Sequence, residues 1–445
     1  MPEQRFKRKI YERLLAWKKE RDGKTAALIE GARRVGKSTI VRQFAEKEYQ
    51  SYILIDFSSA STETFNLFND ISDLDYIFLR LQLIYGVQLY ERKSVIIFDE
   101  VQLQPLARQA IKHLVADGRY DYIETGSLIS IKKNIKDIII PSEETRLNMY
   151  PMDFEEFKWA LGDFSTFPLL EKCFKEMIPL REAHRKLMRD FRLYMLVGGM
   201  PQSVNEYIET NNLSRVDAVK RDILNLYNED FYKIDPTGRL SMLFDAIPAE
   251  LNKNSARYKV SSVIGDSRNS KLSEILAALR ESMTINMAYH VNDPNTGMAQ
   301  NKDLNRYKMF LADTGLFVTQ AFKDKDFTEN VIYNQLLSDK LSVNLGYVYE
   351  NAVAQMLRAS GNELFYYTFP TESGKHNYEI DFLLSRHNKL CPLEVKSSGY
   401  KSHVSLDVFY SKYSNRISER YLVYGKDLFR QDGVSYVPFY MVQFL

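Results

Sequence analysis

The sequence predicts an α/β protein that begins with a parallel sheet covered by helices on both faces. Three observations predict it. An apolar run, Ala26-Ala27-Leu28-Ile29, enters a glycine-bearing loop and then a helical pattern from Ser38 to Lys47. Strand-like and helix-like segments alternate from there to about Tyr150, the pattern of a parallel sheet. After a helical middle, mixed α/β patterning returns from residue 335 to residue 445.

The loop carries the most specific chemistry. Residues 31 to 39 read Gly31-Ala32-Arg33-Arg34-Val35-Gly36-Lys37-Ser38-Thr39, a complete G-x-x-x-x-G-K-[ST] phosphate loop between a strand and a helix. Gly31 and Gly36 permit backbone conformations in which successive N–H groups point at phosphate oxygens. The helix behind them adds its positive end. Lys37 reaches the β and γ phosphates of a nucleoside triphosphate, and the Ser38 hydroxyl serves Mg²⁺.

The next strands complete the site. Strands are expected at Ala26–Glu30, Tyr52–Asp56, Ser94–Asp99, Tyr120–Glu124 and Arg146–Tyr150. Val95-Ile96-Ile97-Phe98 ends in Asp99-Glu100, a buried strand with a carboxylate tip. Asp99 is expected to hold Mg²⁺ through water, and Glu100 to orient or deprotonate the attacking water. Thr125 and Ser127, in Asp-Tyr-Ile-Glu-Thr-Gly-Ser, are expected to sense the γ phosphate. A helix over Pro105–Val115 starts on a first-turn proline. The segment from Asn134 to Glu144 reads as a loop, and Arg146 after it is an arginine-finger candidate.

Composition narrows the classes. The chain has 445 residues, enough for two to four domains, with 60 basic and 58 acidic residues and a formal charge of +2. Any basic surface is therefore local. Two cysteines, Cys173 and Cys391, allow neither a disulfide framework nor a thiolate metal site, and the six histidines have no ligand spacing. No run approaches the roughly 18 apolar residues of a membrane span. The basic N-terminal segment is interrupted by charge and is not a signal peptide, so a cytoplasmic location is expected. Its apolar positions Ile10, Leu14, Leu15 and Trp17 suit a helix packed on the ATP-binding core.

Residues 153–235 are mostly helical in pattern, with Gly198-Gly199-Met200-Pro201 as a sharp break, and suit a lid over the nucleotide. Residues 236–330 read as short helices followed by strands Ile285–Val291 and Arg306–Leu311 around the turn Asp293-Pro294-Asn295-Thr296-Gly297. That pattern suits a winged helix, used either to bind DNA or as a packing module between domains. Arg257, Lys259, Arg268, Lys271, Arg280, Lys302, Arg306 and Lys308 supply its positive charge.

In the last stretch, strands at Tyr378–Leu384 and Leu390–Lys396 flank a turn centred on His387 and Asn388. That register sets Asp381 opposite Glu394, with Lys396 on the same face as Glu394. Two opposed carboxylates call for a cation, and a divalent metal there, with Lys396 orienting water, suits phosphodiester hydrolysis. Glu350, on the preceding helix, completes the set.

These residues, with Phe98-Asp99-Glu100-Val101-Gln102, Tyr150-Pro151-Met152-Asp153-Phe154, Asp313-Thr314-Gly315-Leu316, Tyr349-Glu350-Asn351 and Glu394-Val395-Lys396-Ser397-Ser398, span nearly the whole chain. Together the chain resembles the bacterial and archaeal ATPases of the extended AAA+ group. Their layout is an ATPase core (here residues 1–152), a helical lid region, a winged helix, and a C-terminal domain long described as of unknown function (here residues 331–445). The resemblance implies ATP as the nucleotide, with Mg²⁺. It also implies that the last domain is similar to the PD-(D/E)xK nucleases, a restriction-endonuclease-like α/β fold, with Glu350, Asp381, Glu394 and Lys396 at its site. The chain departs from that pattern at Glu379-Ile380, where a proline is usual before Asp381. The expected partners are ATP, DNA and a second copy of the chain, and no membrane. Two functions follow: ATP hydrolysis coupled to DNA binding or cleavage, or a nucleotide-driven signalling or defence switch whose nuclease-like domain binds without cutting.

Overall fold

The computed structural model describes residues 6–126, 142–253, 257–265, 272–323, 336–338 and 345–445. Ser127, Arg268, Lys271 and the expected loop as far as residue 141 lie outside these residues. The chain divides into two compact units. One is Met1–Tyr150 with Glu281–Met283, the other Pro151–Arg280 with Thr284–Leu445.

The first unit is built on a five-stranded parallel sheet: β1 (Ala26–Glu30), β2 (Ser51–Asp56), β3 (Ser94–Asp99), β4 (Asp121–Gly126) and β5 (Glu144–Asn148), in the order β2-β3-β4-β1-β5. Side chains along a strand alternate between faces, so each strand feeds two cores. Ala26, Leu28, Ile96 and Phe98 join one core, to which helix Pro105–Asp117 adds Ile111 and Leu114. Ala27, Ile29, Val95 and Ile97 join the other, against Leu14 and Trp17 of helix Ile10–Arg21 and Ile40, Val41 and Phe44 of helix Lys37–Glu48. Burial on both faces explains why β1 and β3 read as apolar runs. Each buried Leu, Ile, Val or Phe among them contributes about 1.5–3 kcal/mol. The loop, Asp99 and Thr125 stand at the C-terminal ends of β1, β3 and β4.

The second unit opens with helices Phe154–Ala160, Thr166–Glu176, Glu182–Val197, Pro201–Thr210 and Leu213–Ile234. Its sheet has eight strands: β6 (Ile285–Val291), β7 (Lys302–Leu311), β8 (Leu364–Pro370), β9 (Asn377–Arg386), β10 (Lys389–Lys396), β11 (Arg420–Tyr424), β12 (Phe429–Gln431) and β13 (Val434–Pro438). The order is β12-β13-β11-β10-β9-β8-β6-β7.

In this order the hairpin of the expected winged helix (236–330) shares a sheet with the strands of the last domain (331–445). Short helices at Arg239–Asp245, Ile247–Asn252, Val260–Ile264 and Leu272–Glu281 do precede the β6–β7 hairpin. The hairpin is not a free wing, because β6 also pairs in parallel with β8, Ala288 beside Leu364. Two of its expected positive charges are also engaged. Lys308 is buried, and Arg306 donates from Nη2 to Thr368 Oγ1 at 2.9 Å. A hairpin's own pattern fixes its inner register but not which further strand completes its open edge.

The glycine motifs of this unit meet. Gly199 N donates to Asp313 Oδ2 at 2.6 Å, and Gly199 O accepts from Met152 N at 2.7 Å. A Cβ on Gly315 would stand 2.5 Å from Gly198 Cα, and one on Gly199 would stand 2.0 Å from Met152 O. Asp313 also caps helix Thr314–Ala321, accepting from Leu316 N at 2.8 Å. Buried Lys220 ties the same joint by donating to Leu196 O at 2.6 Å and Gly315 O at 3.2 Å. We expect Gly315→Ala to destabilise this unit by about 1–3 kcal/mol through overpacking, read as a lowered urea midpoint. An unchanged midpoint would refute the joint's tightness.

Candidate functional site

The phosphate loop runs from the end of β1 into helix Lys37–Glu48. Its turn needs left-handed backbone at Arg34 (φ 68°) and Gly36 (φ 100°). Gly31 is required for space, since a Cβ there would lie 2.5 Å from Met149 O. Ala32 and Val35 are buried, Arg33 and Arg34 are exposed, and Thr39 is half-buried behind the loop. Lys37 is buried and donates to Gly31 O at 2.9 Å and Ala32 O at 3.0 Å. Burial lowers its pKa to about 8, while the nearby Glu100 and Asp99 charges pull the other way.

Strand order brings the remaining groups together. β4 lies between β1 and β3, so Thr125 stands between the loop and Asp99. Asp99 Oδ1 accepts from Ser38 Oγ at 2.9 Å and also from Thr125 Oγ1. Neighbouring oxygen ligands of an octahedral Mg²⁺ lie about 3 Å apart, so this hydroxyl–carboxylate pair fits that ion. Glu100 follows with a left-handed backbone (φ 53°), and its carboxylate accepts from Gln102 Nε2.

Two residues here escaped the sequence reading. Gln102 was seen only as part of a motif. Buried Arg8 donates to Val35 O at 3.0 Å and to Tyr150 O at 2.6 Å, bracing the loop from a segment far away in sequence. Arg8 lies in the segment before helix Ile10–Arg21, and no local pattern signals its reach. Arg146 lies on β5 beside β1, half exposed, with Nη1 3.7 Å from Glu30 Oε1.

The second cluster lies in the eight-stranded sheet. His387 and Asn388 are both left-handed (φ 50° and 58°), a two-residue hairpin turn. Leu393 pairs with Phe382, which continues to Glu394 opposite Asp381. Asp381 Oδ2 accepts from Val395 N at 2.7 Å. Lys396 Nζ lies 2.7 Å from Glu394 Oε1. Glu350 sits on helix Gly346–Ala359. Among the described residues, the carboxylates that place one oxygen each within 4.8 Å of one another are Glu350, Glu379 and Asp381. Glu379 takes this place because it lies two residues before Asp381 and so shares its face. Glu394 is not in that set, and its buried Oε2 has no hydrogen-bond partner.

A buried cation already stands in this cluster. Lys308 Nζ is 2.8 Å from Glu350 Oε1 and 2.5 Å from Glu379 Oε1. Burial alone would lower the Lys308 pKa; Glu350, Glu379 and Asp381 override it and raise it well above the usual lysine value. Asp381 is pushed well up, first by burial and then by Glu350. These residues therefore do not fit a divalent metal as they stand, because an ammonium fills the gap between the carboxylates.

Three family profiles match successive parts of the chain. A family profile described as an AAA domain matches residues 23–158, and this supports nucleotide binding and hydrolysis by that part. Profiles described as domains of unknown function match residues 188–326 and 345–442. The uncharacterized protein MJ1637 of Methanocaldococcus jannaschii is 23% identical over 244 residues, covering 50% of this chain and 49% of that protein. The chain thus spans about half the length of that relative. Among solved structures, the Walker-type ATPase PABY2304 of Pyrococcus abyssi is 18% identical with a TM-score of 0.42, covering 72% of this chain and 97% of that one. The Cdc6p structure from Pyrobaculum aerophilum is 12% identical with a TM-score of 0.26, covering 77% and 97%. No helix among the described residues is long and apolar enough to cross a membrane.

Proposed function

We propose that the protein is a Mg²⁺-dependent ATPase whose nucleotide state drives a switch, and that its C-terminal sheet is a binding module that does not cut. The observation carrying the first half is the convergence of Ser38, Thr125 and Asp99 beside the phosphate loop. Backbone N–H groups of residues 31–36 and the Lys37 ammonium hold the triphosphate. Ser38 and Asp99 would hold Mg²⁺, which when bound would offset the negative charge of the phosphates. Glu100 takes a proton from, or orients, the attacking water. Thr125 reports the γ phosphate to Asp99 through their shared hydrogen bond.

The observation favouring a non-cutting module over a nuclease is the Lys308 ammonium bridging Glu350 and Glu379. On this reading ATP binding and release, not strand cleavage, is the output. DNA and a second copy of the chain are the partners through which it would be passed on.

Three outcomes are expected. Lys37→Ala abolishes ATP binding, whereas Glu100→Gln keeps binding and lowers phosphate release by about 10²–10⁴-fold; a Glu100→Gln protein with full turnover refutes the assignment. Second, in the free protein Lys37 loses its proton above about 8, and a bound triphosphate holds that proton on. ATP binding then takes up a proton, and affinity falls as pH rises through about 8, by up to about tenfold per unit. Calorimetric titration on either side of that pH checks the slope, and a flat profile refutes it. Third, linear, circular and single-stranded DNA remain intact with Mg²⁺ or Mn²⁺, with or without ATP. Cleavage by the wild type that disappears in Asp381→Ala would restore the nuclease reading.

A further inference from the structure

We propose that the Lys308 ammonium is the resident cation of the Glu350–Glu379–Asp381 cluster and stands where a divalent metal would have to bind. The inference rests on the non-cutting reading of this domain and gives it a physical cause.

Geometry carries it. One oxygen from each carboxylate lies within 4.8 Å of the others, a triangle into which a divalent ion with oxygen ligands at about 2.0–2.6 Å would fit. Lys308 Nζ is already in contact with two corners, at 2.8 and 2.5 Å. The third corner, Asp381, has Oδ2 engaged by Val395 N at 2.7 Å. An ammonium and a divalent cation cannot share so small a space, since like charges repel strongly in a buried site.

Lys308 is also poorly placed to leave. Its residue is 6% exposed, and its backbone is fixed opposite Ala288 in the β6–β7 ladder. Turning the side chain away would bury an unpaired ammonium, or require the strand to shift. Glu394, the residue expected to share a metal with Asp381, is held by Lys396 at 2.7 Å and stands outside the triangle. Each charged corner is therefore matched by a protein cation or a backbone donor. The expected nuclease constellation and this ion-paired cluster overlap in two residues, Glu350 and Asp381, and the difference lies in Glu379 and Lys308.

The test uses nucleotide-free full-length protein and Mn²⁺ alone, read by electron paramagnetic resonance of bound Mn²⁺ and by calorimetry. Wild type and Asp381→Asn are expected to take up the same amount of Mn²⁺, since no ion rests on Asp381. Lys308→Met is expected to gain one Mn²⁺ equivalent, at least about tenfold tighter than any wild-type binding, and Lys308→Met/Asp381→Asn to lose it again. Wild-type Mn²⁺ binding that vanishes in Asp381→Asn would overturn the proposal, and so would a folded Lys308→Met with no gain. Should Lys308→Met not fold, the comparison of wild type with Asp381→Asn still decides. Mn²⁺ bound at Asp381 without DNA cleavage would sink this inference and spare the non-cutting reading. Metal-dependent cleavage would sink both.

Discussion

A buried ammonium must be answered by oxygen, and the kind of oxygen decides what the lysine is free to do. Lys37 and Lys220 are answered by main-chain carbonyls, which carry dipoles and no net charge. Burial then prevails, and both sit near a pKa of about 8. Lys308 is answered by carboxylates and is driven the opposite way. A lysine on carbonyls gives up little by turning to a phosphate. A lysine between carboxylates gives up two ion pairs. The same residue type is thus a movable ligand hand in one unit and a fixed plug in the other.

That contrast follows from the sheets. In the first unit β1 and β3 are buried on both faces and end at the loop and at Asp99, and β4 between them brings Thr125 beside Asp99. In the second unit the polar cluster is on the face of a sheet, near helix Gly346–Ala359, where buried Lys308 meets the half-buried Glu350 and Glu379.

What the sequence made legible was local. The loop motif, the apolar strands ending in Asp99 and in Thr125, and the hairpin turned at His387 and Asn388 depend on neighbours a few residues away. The paired-strand register around Asp381 follows from turn length and the two-residue period. The remainder depends on contacts remote in sequence. Arg8 reaches Val35 and Tyr150 from the segment ahead of the N-terminal helix. Lys308 was counted among surface charges for DNA, and only the pairing of β6 with β8 draws it into the carboxylates. Glu379 was visible as a departure from a proline pattern, and its face was computable from Asp381, but no cation was in sight to give it a role.

The joint between Gly198-Gly199 and Asp313-Thr314-Gly315 has a consequence for inheritance. The two stretches are more than a hundred residues apart, yet each fills the space the other leaves, to within a missing methyl group. Neither can drift alone. A chimaera assembled from two relatives would have to take both stretches from the same parent, so a crossover between them carries a cost that crossovers outside them do not.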